Sequence, residues 1–165
     1  MSTDAPHRAA RPTLNRLVWA LLALELLAHL LDLALGPWGK MHWEERFNAR
    51  AGVQFACGHV EAMDALQYRT FCGGCTAEAL VAAPLFAALG PTVLVWKAIV
   101  GGFHMALTTM GALLVRRLVG AAAACTFVAL IFAAPGWYLE LSHTGWGNHF
   151  ESTAFPLAAI ILIAH

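Results

Sequence analysis

The sequence predicts an all-α integral membrane protein, an antiparallel bundle of four transmembrane helices plus one short interfacial or re-entrant segment. Three observations predict this. Hydrophobic residues make up 59% of the 165-residue chain and charged residues only 12%, where a soluble domain carries roughly 25% charge. Mean hydropathy is +0.64, more apolar surface than a chain this short can hide in a core of its own. Finally, long apolar runs recur between Gly-Pro and Arg-Arg breaks, and about 20 apolar residues suffice for one crossing.

In chain order, residues 1–13 hold Arg8, Arg11 and two prolines and read as a flexible cytoplasmic tail. A single transmembrane domain, 14–165, follows. The run 14–35 stops at Gly36-Pro37 without a small-residue cleavage site, which favours a retained span over a signal peptide. Residues 37–75 form a polar extracytoplasmic connection. Residues 76–89 are apolar but short, carry Glu78 and Pro84, and stop at Gly90-Pro91; runs of this length more often lie at the interface or re-enter than span. Residues 91–115 and 118–141 are spans separated by Arg116-Arg117, and 153–165 closes the bundle with help from the residues before it. Counting 76–89 as a crossing gives the alternative of five spans.

Four spans place Arg8, Arg11, Arg16, Arg116 and Arg117 on one side and the mixed charges of the polar connection on the other. The positive-inside rule then sets the amino terminus in the cytoplasm, in a plasma or bacterial inner membrane. Trp38, Trp43, Trp137, Tyr138 and Trp146 fall at the outer interface. Net charge is zero, so nothing points to nucleic acid. The partners implied are the lipid bilayer and, through the small residues Gly101, Gly102, Gly111 and Ala112, other membrane subunits or further copies of the chain.

Ionisable residues inside the apolar runs carry the functional reading. Glu25, His29 and Asp32 fall within about 60° of one another at about 100° per residue. Lys97 and His104 fall within about 20° on the same reckoning. A charge at mid-bilayer costs roughly 2.5–3.5 kcal/mol, so both stripes face inward, with Lys97 pairing Glu25 or Asp32. Glu25, Lys97, His104 and Glu78 form the expected buried charge network. Glu140 and His143 make a Glu-x-x-His pair, followed by His149 and Glu151. With His29 and Asp32, these six form the expected metal set in the outer half of the bundle, suited to zinc, iron or copper. The bland alternative is a set of ion pairs fixing helix register, or a non-catalytic subunit of a larger complex. A proton-coupled transporter is a third possibility. No residue pattern names a reaction.

The polar connection adds Cys57-Gly-His59 and Cys72-Gly-Gly-Cys75. These permit a structural disulfide, a Cys₃His zinc site, or a redox pair at the start of a helix. A four-helix bundle with a Cys-x-x-Cys is similar in outline to membrane thiol oxidoreductases of the vitamin K epoxide reductase type. Those proteins need a second, shuttling cysteine pair, whereas here the remaining cysteines are Cys57 in the connection and Cys125 in a span, so no residue role is carried over. His59-Val-Glu61 before Cys72–Cys75 also matches the zinc-deaminase signature in outline, but Phe71 stands where that signature needs proline.

Overall fold

The structure, a computed structural model, describes residues 5–38, 40–59, 75–146 and 150–163, with the backbone alone for 5–11 and 151. Among the described residues every regular element is an α-helix: α1 (Ala5–Leu35), α2 (Trp43–Ala56), α3 (Cys75–Leu89), α4 (Val93–Leu118), α5 (Ala121–Phe132), α6 (Gly136–Leu141) and α7 (Phe150–Ile163). Two helical stretches are long and apolar enough to cross a membrane, Pro12–Leu35 and Val93–Leu118, and three shorter apolar helices accompany them.

Breaks follow local chemistry. Gly90 closes α3 with φ +85°, a left-handed conformation open to glycine at little cost. Thr92 then caps α4 by accepting the Val95 N–H at 3.2 Å. Gly120, with φ +124°, plays the same part between α4 and α5.

The two long helices bury the same ladder. Val18, Leu22, Glu25 and His29 line one face of α1, at i, i+4, i+7 and i+11, the period of an inward stripe. Lys97, Gly101, His104 and Thr108 repeat that spacing on α4. Below the polar rungs, Val18 and Leu22 pack with Ala112, Ala124, Cys125 and Val128, a seam of α1, α4 and α5. Cys125 is therefore a packing residue, as its small neighbours imply. A second apolar cluster joins Ala82 and Phe86 of α3 to Trp96, Ile99 and Val100 of α4.

Two expectations are corrected. The run 118–141, expected as a single spanning helix, is not one helix. Its first helix ends at Phe132, and the chain turns through Ala133 and Ala134 and resumes as α6 after Pro135. Proline has no N–H to continue the ladder and disfavours helix in the residue before it. The polar connection is not all loop either. It contains α2, whose start is closed by the His42 backbone N–H donating to Glu45 Oε2 at 2.9 Å. Glu45, Asn48, Ala51 and Gly52 form the buried side of α2. Gly52 permits its close approach to α3, because a Cβ there would lie 2.9 Å from that of Ala82.

A candidate metal centre

Glu25 and His29 stand one turn apart on α1, and His104 meets them from α4. One carboxylate oxygen joins all three: Glu25 Oε1 lies 3.4 Å from His29 Nε2 and 3.5 Å from His104 Nε2. The donor atoms of the three residues lie within 4.8 Å of one another, and all three residues are buried. Four ligands around an ion at about 2.1 Å are separated by about 3.4 Å, so the two edges at the carboxylate oxygen suit a tetrahedral ion, and the edge between the two histidines is no longer than 4.8 Å. Thr108 Oγ1 is 3.5 Å from His104 Nε2. The rings of Tyr138 and Phe150 pack edge-on against His104 at centroid distances of 5.5 and 4.7 Å.

His143 enters from the turn that follows α6. Its Nε2 lies 3.0 Å from His29 Nδ1 and 3.6 Å from Asp32 Oδ2. Its Nδ1 donates to the Lys97 carbonyl oxygen at 3.2 Å. Burial away from water holds its imidazole below the ordinary range, with the Lys97 carbonyl pulling the other way. His29 Nε2, His104 Nδ1 and Asp32 Oδ2 are buried without a hydrogen-bond partner among the described residues.

Beside this cluster stands a second. Lys97 Nζ donates to Glu45 Oε1 at 2.6 Å, with both side chains buried. Glu45 Oε1 also accepts the Gly145 N–H at 3.0 Å. Asn48 Nδ2 lies 3.1 Å from the Gly145 carbonyl oxygen and 3.3 Å from Glu78 Oε2. Lys97 sits 5.2 Å from the Trp38 ring centroid. A cavity of about 970 Å³ opens over this cluster, lined among others by Asp32, Trp38, His42, Lys97, Glu140 and Trp146.

The sequence-predicted residues therefore separate. His29, Asp32 and His143 lie together, and Glu25 and His104 lie beside them. Lys97 does not pair with Glu25 or Asp32, because α2 delivers Glu45 to its ammonium. Glu78 belongs with Asn48, away from Glu25. Glu140 is exposed at the cavity rim and does not share a helix face with His143, because α6 ends at Leu141. His149 and the side chain of Glu151 lie outside the described residues, as does Cys72. Cys57 and Cys125 are free thiols. Cys57 and His59 are exposed at the end of α2 and Cys75 is buried at the start of α3; among the described residues these three form no metal-binding group with one another. Sequence reasoning missed Glu45 and Asn48. The available signal was their one-turn spacing with Ala51 and Gly52, an inward stripe on a short helix.

The sequence matches no protein-family model, no curated protein and no solved structure.

Proposed function

We propose that this chain is an integral membrane protein whose Glu25, His29 and His104 bind one divalent transition metal ion inside the bundle. The observation that carries this is the convergence of two imidazole nitrogens on a single buried carboxylate oxygen, at 3.4 and 3.5 Å. Two neutral imidazoles and a carboxylate suit zinc, iron or copper.

Only 22% of the apolar window of Pro12–Leu35 and 33% of that of Val93–Leu118 is buried within the fold, where the core helix of a soluble protein would be mostly covered. Leu24, Leu27 and Leu31 of α1 are 44–50% exposed on the sides away from Glu25. Monomeric soluble proteins rarely leave apolar faces of that extent bare. On this reading α1, α4, α5 with α6, and α7 are the four spans, and α3 is interfacial or re-entrant. The amino terminus is cytoplasmic, and lipid covers the bare leucines, with further copies or other subunits sharing that surface. The cavity over Lys97 then opens on the outer side.

Equilibrium dialysis of the detergent-purified protein against Zn²⁺ tests the metal reading. The wild type retains about one equivalent, with Glu25→Gln and His104→Leu each losing at least about tenfold in affinity. A wild type that retains no zinc, or variants that retain as much as the wild type, would contradict it. A proton-handling role is the second reading, favoured by the 3.0 Å contact between His29 and His143. It predicts pH-dependent flux in liposomes, lost in His29→Leu, from a wild type that holds no metal.

A further inference from the structure

We propose that His143 is a positioning residue, not a ligand: it fixes His29 in the tautomer that presents Nε2 to the metal centre. This rests on the metal reading above for its consequence, though not for its geometry.

The Lys97 carbonyl oxygen only accepts, so the proton between it and His143 Nδ1, 3.2 Å away, belongs to His143. A neutral imidazole carries one N–H, which leaves His143 Nε2 with a lone pair. That lone pair faces His29 Nδ1 at 3.0 Å, so His29 Nδ1 carries the proton. Ser142 gives independent support. Its hydroxyl donates to the Leu139 carbonyl oxygen at 2.7 Å, and its oxygen, 3.5 Å from His29 Nδ1, is then left to accept. Both neighbours of His29 Nδ1 are acceptors, and both require the N–H there.

The consequence falls on the other nitrogen. In the neutral ring the lone pair then falls on His29 Nε2, which is buried without a hydrogen-bond partner among the described residues and lies 3.4 Å from a carboxylate oxygen. A lone pair held against a carboxylate in a dry interior is repulsive unless a cation lies between them. A ligating histidine commonly donates its other N–H to an acceptor that fixes its tautomer and ring orientation, and His143 supplies that acceptor here. Gly101 makes the arrangement possible. A Cβ at that position would lie 2.7 Å from His143 Cε1 and 2.8 Å from Nδ1, so the missing side chain is what lets the ring reach the α4 backbone. The centre is then a two-histidine, one-carboxylate site. Three protein donors leave at least one position of a tetrahedral ion for water or a small exogenous ligand, the pattern of catalytic rather than structural sites.

The test uses the full-length protein in lipid nanodiscs, with Co²⁺ as the probe. Glutamine can accept from His29 Nδ1–H and donate to the Lys97 carbonyl, whereas leucine can do neither. The wild type binds one Co²⁺ with the visible absorption of a tetrahedral ion. His143→Leu and Gly101→Ala weaken binding about 10- to 100-fold and alter that spectrum, while His143→Gln stays within about 3-fold of wild type with the spectrum kept. Wild-type binding by His143→Leu overturns the proposal, as does a His143→Gln protein as impaired as His143→Leu. A wild type that takes up no Co²⁺ refutes the metal reading instead. The positioning role is then read from ¹⁵N shifts of His29 in the metal-free protein: a ring protonated at Nδ1 alone supports it, and a ring protonated at Nε2, alone or together with Nδ1, overturns it.

Discussion

Two buried polar clusters share Lys97 yet differ in how completely they are satisfied. Around Glu45, Oε1 accepts from Lys97 and Gly145, Oε2 accepts from the His42 backbone, and Asn48 ties the Gly145 carbonyl to Glu78. Around Glu25, the imidazole contacts are 3.4 and 3.5 Å, and two ring nitrogens and an Asp32 oxygen lack hydrogen-bond partners among the described residues. Buried polar atoms are normally paired, so the first cluster reads as a staple joining α2, α3, α4 and the turn before α7. The second reads as a site kept open for a cation. Lys97 bridges them, its ammonium belonging to the staple and its carbonyl to the site.

Breaking the staple has the largest expected effect. Lys97→Met leaves the Glu45 carboxylate buried with its cation gone, and removing one partner of such a pair costs about 3–5 kcal/mol. Denaturant unfolding in micelles should show that loss, with the Lys97→Met, Glu45→Gln double variant recovering a large part of it. Next comes Gly145→Ala. Its Cβ would lie 2.7 Å from the Trp96 ring, and overpacking of this kind costs about 1–3 kcal/mol while disturbing both bonds that Gly145 makes to the staple. Glu25→Gln sharpens the contrast from the other side. Without metal its stability stays within about 1 kcal/mol of wild type, since only long contacts are lost, yet zinc binding disappears. If Glu25→Gln unfolds the protein as readily as Lys97→Met does, the two clusters do not differ in kind.

The long helices and their stripes were legible in the sequence, because within one continuous helix the 3.6-residue period fixes which side chains share a face. Glu25 and His29 on α1 and Lys97 and His104 on α4 followed from spacing alone. What spacing does not contain is the axial offset between helices. That offset decides that His104, and not Lys97, meets Glu25. Nor does it contain the arrival of a third helix: the 14 residues of α2 are amphipathic and charged rather than apolar, so the apolar pattern does not reveal that Glu45 is the carboxylate that meets Lys97. Pro135 was readable and decisive. It divides the apolar run 118–141 into two helices and places His143 in a turn, where its ring lies against the α4 backbone instead of on a helix face with Glu140. The meeting of His29 and His143 followed from placing charged groups at a common depth.

The smallest expected effect lies outside both clusters. Cys57 is free and exposed, so Cys57→Ser should change stability by no more than about 0.5 kcal/mol and leave zinc binding intact, while maleimide labelling of the folded protein at position 57 is lost. Loss of zinc in that variant would move the metal to the cysteine-bearing connection.

X-ray absorption at the zinc edge of the metal-loaded wild type reads the ligand set itself. The expected first shell is nitrogen and oxygen at about 2.0–2.1 Å, with the outer-shell scattering of two imidazoles. Sulfur at about 2.3 Å, or a shell with no imidazole scattering, would contradict it.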